Sequence, residues 1–236
     1  MTLDPDNDVG PVWSPDGRQI VFRSDRSGMN LLYRKGSAGG ATDEPLTAFD
    51  ASNPTHWSPD GRFILFFQVI GSTSADIGLA NIAGVAKREY VVNTTFDEFD
   101  ARFSPDGQWI SYVSNESGKA EVYVQPFPTT GSKWTVSSNG GNEPRWRADG
   151  RELFYLAADG RLMTVAIDTT NGFRARVPQT LFQTRIRPAT NIYHMSMDVT
   201  PDGQRFMIKT PADGVVMPAL TIVINSTLGL NHTSER

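Results

Sequence analysis

A turn tetrapeptide recurs at intervals of 43 to 53 residues, short apolar strands flank each copy, and no stretch sustains a 3.6-residue apolar period. These three observations predict an all-β fold, a β-propeller of about five four-stranded antiparallel blades. The tetrapeptide reads Ser14-Pro15-Asp16-Gly17, Ser58-Pro59-Asp60-Gly61 and Ser104-Pro105-Asp106-Gly107. Looser copies stand at Arg147-Ala148-Asp149-Gly150 and Thr200-Pro201-Asp202-Gly203. Proline in second place presets φ near about −65°, aspartate suits the third place, and glycine accepts the left-handed fourth. The result is a type I turn closed by a glycine bulge, a common hairpin connection.

Each element of a blade follows in order. Before the turn comes a strand ending in a large apolar residue: Trp13, Trp57, Phe103, Trp146 and, more weakly, Val199. After it runs a strand of buried character: Ile20–Phe22, Ile64–Phe66, Ile110–Tyr112, Leu153–Tyr155 and Phe206–Ile208. A second polar turn follows, as at Asp25–Gly28 and Asn115–Gly118, and then a third strand at Leu31–Tyr33, Ile77–Leu79, Val122–Val124 and Leu162–Val165. An outer strand ends near Leu46-Thr47, Val91-Val92, Trp134–Val136 and Leu181-Phe182.

The fifth unit supplies only three strands, near Tyr193–Val199, Phe206–Lys209 and Leu220–Asn225. Met1–Leu3 precede blade one as Leu46-Thr47 precede blade two. These first residues are expected to pair with the last unit and close the ring, which removes exposed sheet edges. The competing reading makes them the stump of an upstream blade. The organisation expected is a single propeller over residues 1–236. Its blades lie at about 8–48, 52–93, 98–137, 142–183 and 193–226 plus 1–4, with a polar tail at 227–236.

Composition bounds the function. Charged residues make up 20% and hydrophobic ones 39%, a globular balance and not a disordered one. Cysteine is absent, which excludes disulfides and thiolate metal sites. A formal net charge of −4 without a basic stripe argues against nucleic acid. No apolar run reaches the roughly 18–20 residues that span a bilayer, and Met1–Asp6 has no signal-peptide character. As written, the chain would stay where it is made, and would be extracytoplasmic as part of a longer receptor kinase or envelope protein.

The repeated Trp-Ser-Pro-Asp-Gly pattern resembles the TolB-like, WD40-like propeller repeats over essentially the whole chain. A nearer likeness is to the propeller that follows the kinase domain in many bacterial serine/threonine protein kinases. It rests on Phe103–Trp109, Tyr112–Gly118, Glu121–Phe127, Gly140–Trp146, Glu152–Tyr155, Pro201–Phe206 and Leu220–Asn225. The resemblance implies a sensing or interaction role, with phosphoryl chemistry elsewhere. The chain itself has no Gly-rich loop with its strand lysine, no His-Arg-Asp loop and no Asp-Phe-Gly, so it is not expected to phosphorylate anything. TolB-like propellers usually carry six blades, whereas five units are counted here.

Catalytic readings fare poorly. A propeller-borne serine hydrolase needs a Gly-x-Ser-x-Gly elbow, and the sequence has none. The histidines are His56, His194 and His232. His56 and His194 fall on strands expected to be innermost, so both could face the channel and hold a metal as in some propeller lyases. That chemistry wants three or four ligands fixed together, so packing or solvated histidines are favoured. The run Asp4, Asp6, Asp8 lacks the glycine and glutamate of a calcium loop, with Val9 and Pro15 in their places. Trp13, Trp57, Phe103 and Trp146 are favoured as core packing between blades over stacking platforms, because they recur at one repeat position. Arg18, Arg62 and Arg151 are read as covering blade edges.

Function on such a scaffold belongs to its loops. The channel mouth is expected from Asp50–Asn53, Asp97–Arg102 and Asn139–Arg145, with the turns Arg26–Asn30, Gly71–Asp76 and Asn115–Lys119. The binding residues expected there are Asn53, His56, Asp100, Arg102, Glu143, Arg145 and His194. The expected partner is a protein or peptide, or a small polar ligand. No cofactor, metal, nucleic acid or membrane insertion is expected, and the chain is read as a monomer and not an enzyme. The alternative is a propeller enzyme of carbohydrate lyase or hydrolase type, with a channel metal held by histidines.

Overall fold

A computed structural model describes residues 6–38, 43–50, 52–70, 74–83, 87–186, 195–209 and 220–224. All regular elements among them are β-strands, arranged as the five sheets of a propeller. Blade one is β1 (Asp8–Trp13), β2 (Gln19–Ser24), β3 (Leu31–Gly36) and β4 (Glu44–Asp50), antiparallel in that order. Blade two repeats it with β5 (Asn53–Trp57), β6 (Phe63–Ile70), β7 (Ser74–Asn81) and β8 (Lys87–Val92). Blade three is β9 (Glu98–Phe103), β10 (Trp109–Ser114), β11 (Glu121–Pro126) and a two-residue β12 (Trp134–Thr135).

Blade four departs from the pattern. After β13 (Gly141–Trp146), β14 (Glu152–Ala157) and β15 (Arg161–Asp168), the chain makes a short hairpin to β16 (Arg174–Ala175). Only then does it add the outer strand β17 (Gln179–Gln183). Blade five shows three strands among the described residues, β18 (Met197–Val199), β19 (Arg205–Lys209) and β20 (Leu220–Ile224). Residues 1–4, expected from the sequence to close the ring, lie outside the described residues.

The turns owe their regularity to one side-chain device. In blade two, Gly61 N–H donates to the Ser58 carbonyl at 2.9 Å, and Gly61 takes a φ of +75°. Ser58 Oγ donates to Asp60 Oδ1 at 2.6 Å and accepts from Phe63 N–H at 2.9 Å, while Asp60 Oδ1 also accepts from Arg62 N–H at 3.0 Å. Ser14/Asp16, Ser104/Asp106 and Thr200/Asp202 repeat this network. Where blade four has Arg147 instead of serine, its guanidinium pairs with Asp149 and with Glu152.

Strand alternation sends one face of each blade forward and the other back. Val12, Val21 and Leu32 of blade one meet Trp57, Ile64 and Phe66 of blade two. Leu65, Ile77 and Leu79 meet Ala101, Phe103 and Tyr112 of blade three. Val113, Val122 and Val124 meet Leu153, Tyr155 and Val165 of blade four, and Phe154, Leu156 and Leu162 meet Phe206 and Ile208 of blade five. The core is thus a set of inter-blade layers. Trp57 and Phe103 are buried in them, and half-buried Trp146 packs against one. Trp13 corrects the expectation for this position, because it is 57% exposed. Its counterparts Trp57, Phe103 and Trp146 each pack backward onto the preceding blade.

Candidate functional site

The residue just before the large apolar residue that ends each inner strand faces one shared cavity. Val12, His56, Arg102, Arg145 and Asp198 hold equivalent places on five blades, and all five line one cavity of about 530 Å³. Trp13, Met195 and Met207 also line it, exposed by 57%, 49% and 45%. The site is therefore built on strands. Of the loops expected to form it, the described residues of Arg26–Asn30 and Asn115–Lys119 do not line the cavity.

A bulge two residues upstream shapes the site. The registers of β1, β5, β9 and β13 each slip there. Gly10 takes a φ of +62° at this place, but Asp100 and Glu143 adopt +48° and +54° despite their Cβ atoms. Each such residue costs roughly 1–2 kcal/mol, a strain that collects where function or tight pairing demands it.

Of those two carboxylates, Asp100 pairs with both arginines. Asp100 Oδ2 accepts from Arg145 Nη1 at 3.0 Å, and Asp100 Oδ1 lies 3.4 Å from Arg102 Nε. Arg145 Nη2 reaches Glu143 Oε2 only at 3.9 Å and makes no hydrogen bond. Glu143 Oε2 instead accepts Ser196 N–H at 2.7 Å and Met197 N–H at 2.9 Å, tying blade four to the inner strand of blade five. Arg102 Nη2 lies 3.1 Å from Met195 Sδ.

The electrostatics follow from crowding two guanidiniums in a confined space. Burial, and then Arg145, push the Arg102 guanidinium down to about 10. Burial opposes ionisation of Asp100, yet the adjacent Arg145 and Arg102 outweigh it and hold the carboxyl below its ordinary value. Glu143 goes the other way, raised by burial against the pull of Arg145. His56 is pushed down to about 3, by burial first and then by both arginines, and is neutral at physiological pH. Its Nδ1 accepts Phe103 N–H at 3.1 Å, which uses the lone pair of a neutral imidazole and leaves the proton on Nε2.

Of the residues expected from the sequence, His56, Arg102 and Arg145 line the cavity, Asp100 pairs with both arginines, and Glu143 binds the backbone of Ser196 and Met197. Asn53 does neither. It is buried, and its Oδ1 accepts from Arg23 Nη1 at 2.6 Å across the interface of blades one and two. His194 lies outside the described residues. Met195, Met207 and Trp13 were not foreseen as site residues. Among the described residues, no group of three or more histidine, aspartate or glutamate side chains is arranged to hold a metal ion, and no helix is long and apolar enough to cross a membrane.

No family model matches the chain. Among curated proteins, the Tol-Pal system protein TolB of Francisella tularensis is 28% identical over 164 residues, which cover 66% of this chain and 37% of that protein. The peptidase YuxL of Bacillus subtilis is 28% identical over 145 residues, covering 44% of this chain and 21% of that one. Among solved structures, TolB from Acinetobacter baumannii superposes with a TM-score of 0.72 at 22% identity, covering 93% of this chain and 52% of that one. An oligogalacturonate lyase in complex with manganese gives 0.63 at 14% identity, covering 96% and 68%. The chain thus spans about half the length of that TolB structure, and the similar folds include both TolB and enzymes.

Proposed function

Because the chain is a TolB-like β-propeller, we propose that it is a non-catalytic recognition module whose channel cavity takes a segment of a protein partner. The observation that carries this reading is the convergence of exposed Trp13, Met195 and Met207 on half-buried Arg102 and buried Arg145. Aromatic residues, methionine and arginine are the types enriched at protein interfaces, and tryptophan and arginine dominate their hot spots. Flexible methionines suit a surface that adapts to a peptide. The TolB relatives, named for the Tol-Pal system, favour a protein partner over a small solute. Attachment to a kinase or an envelope protein is consistent with the sequence resemblance, and the module is proposed to act as a single protomer.

The lyase-like reading needs His56 as a metal ligand. Its Nδ1 is already engaged by Phe103 N–H, so His56 serves better as a neutral hydrogen-bonding residue. Affinity capture from a lysate of the source organism tests the proposal, comparing the native chain with Trp13→Ala/Met207→Ala. Both replaced side chains are about half exposed, so the fold survives their loss. The reading expects a reproducible protein that the double variant no longer retains. Equal retention by both forms would refute the channel as the docking site.

A further inference from the structure

The charges around the channel cavity do not balance. Arg102, Arg145 and Lys209 line it as cations, and Asp198 is the one carboxylate among the lining residues. Asp100 adds a second negative charge by pairing with both arginines. Glu143 is spent on the amides of Ser196 and Met197, and burial opposes its ionisation. One positive charge is left over. In a confined, partly desolvated space that charge attracts an anion more strongly than it would in water.

Donors of the wall stand unused and within reach of a ligand. With Nδ1 taken by Phe103 N–H, the His56 proton is on Nε2. That Nε2–H has no acceptor among the described residues and is not sealed from solvent. The bond to Phe103 also sets the imidazole beside Arg102, the preceding residue of the chain. The Arg102 side chain is 16% accessible, against 4% for Arg145. Its contacts are Asp100 at a long 3.4 Å and the Met195 thioether, a weak acceptor, so most of its N–H groups stay open. Arg145 Nη2 also lacks an acceptor but has no surface a ligand could touch, so Arg145 supplies charge alone. Exposed Lys209 makes no ion pair among the described residues.

These donors select the anion. A carboxylate carries one charge, equal to the surplus, and its two oxygens accept from a guanidinium and an imidazole together. A phosphate brings nearly two charges, and its readers present clusters of open guanidiniums where this cavity has one. The terminal carboxylate of a chain is usually captured by backbone N–H groups, and those of Ser196 and Met197 on this wall already serve Glu143. We propose that the partner segment enters the channel with an aspartate or glutamate side chain, whose carboxylate accepts from Arg102 and from His56 Nε2–H while apolar neighbours pack on Trp13 and Met207. This recognition rests on the channel being the docking site.

The test is a selection, on the full chain, of random peptides displayed on phage and fused through their C-termini. Peptides that Trp13→Ala/Met207→Ala also retains are discarded, which keeps those that use the channel. The survivors should share an acidic residue at one position. As synthetic peptides with both ends blocked, they should lose affinity roughly ten-fold when that residue becomes its amide, the size expected for a hydrogen bond to a charged group. Arg102→Gln should weaken the acidic peptide by a similar factor and leave the amide peptide unchanged, the mark of a direct pair in a double-mutant cycle. Because Arg102→Gln also takes a partner from Asp100, Lys209→Gln at an exposed position serves as a second variant. It should weaken the acidic peptide roughly two-fold and the amide peptide not at all. Three results would overturn the acidic recognition while keeping the channel as docking site: survivors without a shared acid, equal losses for both peptides in both variants, or tighter binding of a phosphoserine peptide. Recovery of no channel-dependent peptide would overturn both.

Discussion

Glu98 and Asp76 pose the sharpest energetic question among single residues. Both are buried, and each keeps one carboxylate oxygen without a partner. Burial raises both above their ordinary values of 4.5 and 3.8, and the nearby Asp76 charge adds to the rise at Glu98. The folded chain therefore binds these protons more tightly than the unfolded chain does. Their stability is fully present below the unfolded values and is lost as pH rises through the folded ones, at about 1.4 kcal/mol for each tenfold difference in proton affinity. Glu98→Gln keeps an acceptor for Thr94 and Ser114 but carries no charge. In thermal melts across pH 4 to 8 (approximate limits set by the usual carboxylate range), the variant should match the native chain at the acid end and exceed it at neutrality. At this scale His56, Arg102 and Arg145, named from their place near the ends of inner strands and the loops that enter them, line the cavity. Asn53, named from the loop that enters β5, is instead buried and bonded to Arg23.

The turn and the strand pair are the elements on which the fold depends. Ser58→Ala removes both the donor to Asp60 and the acceptor for Phe63 N–H. Denaturant unfolding should show a loss of about 1–2 kcal/mol, the usual cost of an unmet hydrogen bond. Gly78 supports the middle of β7 for another reason. The Phe66 ring of β6 lies over it, so that a Cβ there would meet Phe66 Cζ at 2.0 Å. Gly78→Ala must push a fully buried ring aside, and should cost about 1–3 kcal/mol as overpacked cores do. The tetrapeptide turns were legible because proline, aspartate and glycine each serve one position of one turn type. The β15–β16 hairpin was not foreseen, although Asn171-Gly172 at its tip is a strong hairpin signal. The expected 45-residue period drew attention to one outer strand per blade and away from an insertion before it.

Across the whole molecule, one repeat position does two jobs. Phe103 is 2% exposed between blades two and three, so Phe103→Ala should cost about 3–5 kcal/mol of stability. Trp13→Ala should leave the melting temperature nearly unchanged, because that side chain faces the channel cavity and solvent. The repeat made the architecture readable from the sequence alone. It also hid the site, since equivalence in sequence suggested equivalence in burial. Which copy stays uncovered is decided by the order of the blades in space, which no local pattern encodes. The uncovered copy, Trp13, is where a partner is proposed to dock. Site-specific photo-crosslinking tests this most directly, with a photoreactive residue replacing Trp13 in one form of the chain and Val177, which is 83% exposed on blade four, in another. A discrete protein adduct is expected from position 13 and none from position 177. Adducts from position 177 alone would place the partner outside the channel and contradict the proposed docking site.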